Sequence, residues 1–583
     1  MEHKKLSYKN RHDRLKPQDT SNEFEKNIYY ERNGKKMKTS SITGVCFSSQ
    51  SFRWLTVILM CFFFLGNPFL LKAENEFHAS NEFSYTYNDI SGPGSSQSSL
   101  RQGFSYLNLL NINDLGNYKG FDYNFNFGLK LTDDPTNDQQ TASITNLQGR
   151  ITNKVHTLNL GDTFETFSQY ALSSAVKGAS YRFVKENSYI PEVSLVYGYA
   201  YSRWDNAFAI YDGPVKAVAR QVMGARLKEN LGQNFWAGLS YVQSQDNDRV
   251  NPTDSLYLNR AYTFDMEYKP IPGLTVSGEA SLSDQKEWTG NDGSETTRHG
   301  AAYRLTAVGD ADPSRVTLEY ERISPNFTTL VGSATPDREK AKAKWRYKYT
   351  KNISANLGFL WFRDNLDGQK TAGRTDYYKP EIGFTLKRFL GRAYGTADIA
   401  YKLDVTSNNN TENYNHIVTL NYQDQFFGFL DSDTNLGYTL YDNKISVEER
   451  NNEFTYNTSL SSRHTLGMVV LKPAVYLGGW TQRSELVVST DQIYEYSAGF
   501  GLDVPDWKLT STIKAGQNRL DKSVGQDTDK TFASFNLNYR PPFLKKLNQG
   551  MLFFRAKYND FSYTNAGNNF RETSLTAGLI LEI

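Results

Sequence analysis

The segment Asp337 to Thr350, DREKAKAKWRYKYT, places a basic side chain at six alternate positions: Arg338, Lys340, Lys342, Lys344, Arg346 and Lys348. Ala341, Ala343, Trp345, Tyr347 and Tyr349 occupy the other parity. Successive side chains of a strand point to opposite faces, so an extended chain here carries a ladder of cations on one face and an apolar row on the other. Carboxylates share the ladder's parity in nearby segments: Glu319 and Glu321 in RVTLEYER (315–322), Asp265 and Glu267 in FDMEYK (264–269), and Glu279 in LTVSGEASL. Two kinds of chemistry suit this arrangement. Glu319 and Glu321 can pair with the lysines across the strands and hold register. Rungs left unpaired, where they face water inside a passage, raise the local anion concentration and sort solutes by charge.

Catalytic chemistry finds less material. Beyond residue 73 the histidines are His78, His156, His299, His416 and His464. His464 follows Ser461, Ser462 and Arg463 beside a short turn, and the Ser and His are expected to point away from any shared site. No metalloprotease, phosphate-loop or nucleophile-elbow motif stands in its proper context. No carboxylate cluster has calcium-loop spacing. An enzyme, a metal site and a cofactor are therefore not expected.

The ladder needs a strand to hold it, and strand signatures recur along the chain. Phe121 to Leu131, FDYNFNFGLKL, puts Phe, Tyr, Phe, Phe, Leu and Leu on one face, and Asp, Asn, Asn, Gly and Lys on the other. Ile353–Trp361 (ISANLGFLW) and Thr531–Arg540 (TFASFNLNYR) repeat the pattern. From Glu76 to the end, about 26 such segments of roughly nine to thirteen residues alternate with Gly, Asn, Asp and Pro clusters. No helical period is visible there. The connections alternate too: polar loops such as NDISGPGSSQ (88–97), SDQKEWTGNDGSET (283–296), SPNFTTLVGSATPD (324–337) and TSNNNTEN (406–413) take turns with tight ones such as LGQN (231–234), DADPS (310–314) and VPD (504–506). This gives thirteen loops on one side and twelve turns on the other.

One long apolar run, Trp54–Leu71, follows Arg53 and precedes Lys72-Ala73-Glu74. It has the form of a secretory signal peptide, residues 37–73, with cleavage after Ala73; an uncleaved membrane anchor is the alternative. Residues 1–36 form a polar leader or an early start. Residues 1–73 hold 13 of the 65 basic and 6 of the 63 acidic residues, so the remainder carries 52 against 57, a net of −5. The basic excess thus belongs to the leader, and nucleic acid is not an expected partner. Both cysteines, Cys46 and Cys61, also precede the cleavage point, which leaves no disulfide, thiolate metal site or haem attachment after it.

A soluble sandwich also alternates apolar and polar faces, but its strands are nearer five or six residues and its connections need not sort by side. Strands of nine to eleven residues, alternating long and short connections and abundant aromatics (38 Tyr, 36 Phe, 8 Trp) are the features of a transmembrane barrel. The mean hydropathy of −0.59 agrees, because only one residue in two meets lipid. Residues 74–583 are therefore expected to form an all-β, antiparallel up-and-down transmembrane barrel of 22–26 strands, closest to 26.

Over residues 76–583 the chain resembles the outer-membrane β-barrel proteins of Gram-negative bacteria. The last segment, SLTAGLILEI, aligns Leu575, Ala577, Leu579, Leu581 and Ile583 on one face. That family typically ends in an aromatic residue, from which Ile583 departs. Leu158–Phe183, LNLGDTFETFSQYALSSAVKGASYRF, is also loosely similar to a GD…F…KGA stretch near the start of usher-type barrels. The resemblance implies an outer-membrane location with both termini periplasmic and outer-membrane lipid as a partner. Twenty-six strands give a circumference of about 160 Å and a backbone diameter of roughly 50 Å, too wide for wall side chains to fill. A large porin-like channel or conduit shell follows; the alternative is a barrel that sheathes or exports a macromolecule, such as an electron-transfer protein, polysaccharide or polypeptide, with a periplasmic or lumen-occupying protein as partner. The longest connection, Arg203–Arg220, is the best candidate for an inward-folded loop, a surface flap being the alternative.

Overall fold

A computed structural model describes residues 76–583, apart from 186–189, 201–202, 205–217, 248–254, 290–293, 372, 445–447, 487–488 and 547–549. The leader and signal-peptide expectations lie outside the described residues.

The strands form one sheet in chain order, each antiparallel to its neighbours. The first, Glu76–Ser91, pairs with the last, Phe570–Glu582, from Ser80↔Glu582 to Ser91↔Arg571, which closes the barrel. Ala79 and Ile583 add two backbone hydrogen bonds of 3.0 and 2.8 Å at the rim. The short segment His464–Leu466 continues Glu448–Ser462 past Arg463, since Ser461↔Ala474 and His464↔Leu471 keep one register against the next strand. The count is therefore 26. An even count brings both termini to one rim.

Register fixes which face each side chain takes. In Phe121–Thr132 the apolar parity points outward, where Phe121 and Phe125 are exposed, and Leu357 and Trp345 are exposed on the same outer face. Phe104 at 70%, Leu282 at 62% and Ile513 at 53% exposure belong to this outer belt. So continuous an apolar exterior is stable only against hydrocarbon, and closure leaves no open edge between the first and last strands. The fold is a transmembrane β-barrel. No helix among the described residues is long and apolar enough to cross a membrane; the crossing is made by strands.

Two expectations change in detail. Strands run from eight residues (Glu192–Tyr199) to eighteen (Ser294–Ala311), because several hairpins continue past the bilayer into their loops. Connection length also does not sort strictly by side: residues 169–171 make a three-residue turn on the loop side, and residues 540–550 make a longer link on the turn side.

The two parities make opposite forecasts for substitution. Phe125→Arg or Leu357→Arg places a guanidinium in the bilayer and is expected to cost about 2–4 kcal/mol near the midplane, whereas Asn124→Arg or Asn536→Arg, on the inner face, is expected to be mild. Urea-induced unfolding of the four variants in lipid vesicles measures the difference; equal losses on both parities would reverse the assigned faces.

Candidate functional site: the lumen

Among the described residues the wall is interrupted at one place. His156–Ser168 pairs with Ala142–Thr152 over only five positions, Gln148↔Gly161 to Thr152↔Thr157, while its pairing with Leu172–Phe183 continues to Ser168↔Leu172. On the other flank Glu192–Tyr199 meets Leu172–Phe183 only from Lys177 onward. Beyond that line the hairpin leaves the wall and turns into the lumen. Gly161 and Gly178 sit opposite one another at the bend. Gly161 has φ +91°, and a Cβ there would stand 2.0 Å from the Leu147 carbonyl oxygen; at Gly178 it would stand 2.1 Å from that of Tyr197. Both positions need glycine, since the backbones touch where the hairpin departs.

Asp162, next to the bend, serves the edge that the hairpin abandons. Its Oδ2 accepts the Leu147 backbone N–H at 2.7 Å and the Trp204 indole N–H at 2.6 Å, and its Oδ1 accepts the Lys177 ammonium at 2.5 Å. Arg203 donates to Asp138 at 2.9 Å and to Ser143 at 2.5 Å. The described start of the connection Arg203–Arg220 thus lies against the gap; residues 205–217, the bulk of the expected inward loop, lie outside the described residues.

The inturned tip, residues 169–171, lands on the acidic wall. Direct cross-strand partners there run Asp265↔Glu279↔Arg304↔Glu321↔Lys340. Glu279 accepts the Tyr170 backbone N–H at 2.9 Å, and Glu321 accepts the Tyr170 hydroxyl at 2.8 Å. Arg304 donates to the Gln169 side-chain oxygen and lies 3.9 Å from Glu279. Burial, together with the neighbouring Glu321 carboxylate, pushes the Tyr170 hydroxyl above its ordinary range, so it stays a donor. The remaining carboxylates are matched as well: Asp265 to Arg226 at 2.5 Å, Glu319 to Lys340 at 2.7 Å, Glu321 to Lys340 at 2.8 Å and to Arg338 at 3.7 Å, and Glu267 to Lys269 at 3.0 Å. Of the two roles open to these carboxylates, pairing across the strands is the one the geometry shows for Glu319 and Glu321. Asp265, Glu279 and Glu321 are 8%, 8% and 1% exposed; the hairpin tip covers Glu279 and Glu321, and Arg226 lies against Asp265.

Apolar contacts complete this lid. Phe167, Ala171, Leu172 and Val176 of the hairpin pack on Val196, Val222, Val242 and Ala261 of the inner wall. The connection 324–337 also folds inward: Val331 joins that cluster, Phe327 packs on Tyr170 with Ala302 and Ile323, and Thr328 is held by Asn259 and Ser283. Backbone bonds tie loop to hairpin, Ser173 N–H to Val331 O at 2.9 Å and Ser333 N–H to Gln169 O at 2.7 Å.

The basic ladder straddles the boundary of this packed region. Its upper rungs Arg338 and Lys340 belong to the clamp, and Lys348 lies 3.4 Å from Asp312 at the turn end. Between them Lys342, Lys344 and Arg346 have no acidic partner within 4.0 Å among the described residues. Lys344 and Arg346 are exposed on the inner face. Arg346 and Lys348, with Lys351, Lys387, Ser354 and Asn356, line a cavity of about 790 Å³ near the turn rim. The inner face is therefore covered where the hairpin and the loop 324–337 rest on it, and open at Lys344 and Arg346.

Reasoning from the sequence missed Arg304, Tyr170 and the bend. The available signals were the paired glycines of LGD and KGA, and the apolar residues Val196, Val222, Val242 and Ala261 at positions where alternation calls for polar ones. It also misplaced one pair: the Ser462 hydroxyl and His464 Nε2 stand 2.9 Å apart, since residues two apart on a strand share a face. The ring lies exposed beside Phe429, with no described carboxylate to orient it.

Fold and lumen together define a wide membrane-spanning barrel that is partly filled by its own chain. Residues 77–365 match the β-barrel domain of the S-layer protein SlpA. Among solved structures, the chain is similar to the translocation pore of the P pilus usher PapC, at 12% identity, covering 87% of this chain and 99% of that one with a TM-score of 0.37. It is similar also to the Pseudomonas aeruginosa protein OccK5 (OpdH), at 12% identity, 63% and 98% coverage and a TM-score of 0.32, and to the outer-membrane channel DcaP of Acinetobacter baumannii, at 12%, 60%, 94% and 0.27. No curated protein matches it.

The absence of cysteine after residue 73 allows a direct test of the clamp. A single Ala171→Cys thiol, buried under the tip, is expected to react slowly with a water-soluble maleimide in the folded barrel. Adding Glu279→Ala and Glu321→Ala removes both acceptors of Tyr170 and is expected to speed labelling on the order of tenfold or more, as local opening becomes easier. An unchanged rate would assign the hold to the apolar contacts alone.

Proposed function

We propose that the protein is an outer-membrane channel that passes solutes through the open part of its lumen and favours anions. The observation that carries this reading is the run Lys342, Lys344 and Arg346, three cations on the inner face without acidic partners among the described residues. Cations on a low-dielectric wall around water concentrate anions and lower the barrier to their passage. The barrel's width supports bulk passage, since at about 50 Å across the wall side chains cannot close it. The packed hairpin and the loop 324–337 narrow the lumen from one side and leave the ladder's middle rungs in water. Outer-membrane lipid is the partner of the exposed apolar belt. Both termini face the periplasm and the thirteen connections of the opposite rim face outward. An epitope inserted at residues 408–411 is then expected to be stained on intact cells; staining only after outer-membrane lysis would invert the topology.

Selectivity offers the functional test. The triple variant Lys342→Glu, Lys344→Glu and Arg346→Glu keeps Lys340 and the Tyr170 contacts but sets residue 342 against Glu319, so its heat-modifiable barrel folding is checked first. In planar bilayers under a salt gradient its reversal potential is expected to shift toward cation preference. The shift should shrink as the screening length falls from about 10 Å at 0.1 M to about 3 Å at 1 M salt. A folded, conducting triple variant with unchanged selectivity would exclude the ladder as a filter.

A further inference from the structure

A second set of unpaired cations stands on the far side of the lumen. Lys514 lies on Leu509–Asp521, and Arg555 and Lys557 lie on Met551–Tyr563. Register places all three on the inner face: Lys514↔Ser534↔Lys557↔Ser574 form one row, and Thr512↔Asn536↔Arg555↔Thr576 the next. All three residues are exposed, and none has an acidic partner within 4.0 Å among the described residues. Neither row contains a carboxylate. The inward acids nearest to them are otherwise placed: Glu572 is buried and accepts from Ser98 and Asn559, Asp503 lies 3.5 Å from Lys472, and Glu495 faces Asn518.

These strands stand nine to eleven places further round the ring of 26 than Arg338–Lys348. That is about 55 Å of wall or more at ordinary strand spacing and tilt. Their places along the strands nevertheless correspond. Counted from the turn end of each strand, Arg555 is four residues in, Lys514 five and Lys557 six, against four for Lys344 and six for Lys342. Two basic walls thus face a common stretch of water. A small anion can reach only one of them at a time; a long chain carrying repeated negative charge can be held by both.

The surroundings of the second wall narrow the chemistry. Ser534, Asn536, Thr512, Ser574 and Thr576 alternate with the cations, offering hydroxyl and amide groups that both donate and accept. Aromatic rings lie beneath: Lys514 Nζ is 5.8 Å from the Tyr476 ring centroid and 5.5 Å from that of Phe532, and the Arg555 guanidinium is 4.6 Å from that of Phe553. The backbone of these strands is paired on both sides, so an extended peptide has no edge to add to. Resting on the channel reading above, we infer that the two walls together form a binding track for a linear acidic polysaccharide. Its carboxylates meet Lys342, Lys344 and Arg346 on one side and Lys514, Arg555 and Lys557 on the other, and its hydroxyls meet the Ser, Thr and Asn rows.

The test adds oligouronate to the purified barrel in a planar bilayer, with neutral dextran and polyglutamate of equal length as comparisons. Oligouronate is expected to block the current of the wild-type chain, and dextran is not. In the variant Lys514→Glu, Arg555→Glu and Lys557→Glu, the blocking concentration is expected to rise about tenfold or more, with single-channel conductance retained as proof of folding. Equal block by polyglutamate would overturn the saccharide assignment and leave a track for any polyanion. Anion-selective current in the wild type without oligouronate block, or block unchanged in the variant, would overturn the inference while the channel reading stands. Loss of anion preference in the wild type would overturn both.

Discussion

Hydrocarbon offers a peptide group no partner, so every backbone amide within the bilayer has to find one in the next strand. The ladder between Glu76–Ser91 and Phe570–Glu582 is where this requirement is met or fails, because a sheet of 26 strands left open there would expose two edges. Closure sets the even count, the shared rim of the termini and the strict division of each strand into an outer and an inner face. It also explains why the one departure from the rule is so heavily furnished. Where the hairpin bends away at Gly161, the Leu147 N–H loses its strand partner, and the Asp162 carboxylate supplies an acceptor in its place. A side chain stands in for a strand, and Trp204 and Lys177 hold that side chain still.

Closure at this width creates the second problem, an interior that the wall cannot fill. The chain solves it unequally. Where the hairpin and the loop 324–337 rest on the strands between Leu172 and Ile323 the inner face is covered, and the carboxylates beneath the cover have cationic or hydrogen-bonding partners, as desolvation requires. Glu321 illustrates the demand: nearly inaccessible, it faces Lys340, Arg338 and the Tyr170 hydroxyl together. Away from the cover, Lys344, Arg346, Lys514, Arg555 and Lys557 are exposed and need no partner, since water solvates them. The same residue type is thus structural on one side of the Arg338–Lys348 strand and free to act on solutes on the other.

Much of this architecture was legible in the sequence. Period-two alternation gave the strands, and alternating connections gave the topology, because both follow from the pleat and from antiparallel order. The ladder was visible for the same reason. Its division into covered and open rungs was not: Glu321 is buried under Tyr170, some 150 positions earlier, and nothing local to either segment records that meeting. Lys514, Arg555 and Lys557 were overlooked because only the register of their strands against Thr528–Tyr539 makes them one surface. The bend left a trace in the opposed Gly161 and Gly178, yet glycine also marks ordinary turns, and its meaning here came from the register that placed the two face to face.

The short ladder between Ala142–Thr152 and His156–Ser168 also bears on how the wall carries load. Five rungs join these strands, where the first pair of strands shares thirteen from Glu76↔Leu115 to Asn88↔Gly103. Tension applied around the circumference is borne equally by every seam in series, so the extension per rung is greatest at the shortest one. Were the barrel pulled sideways by something anchored to its outer rim, the seam beside Gly161 would yield first, and the Asp162 contacts would act as its fuse.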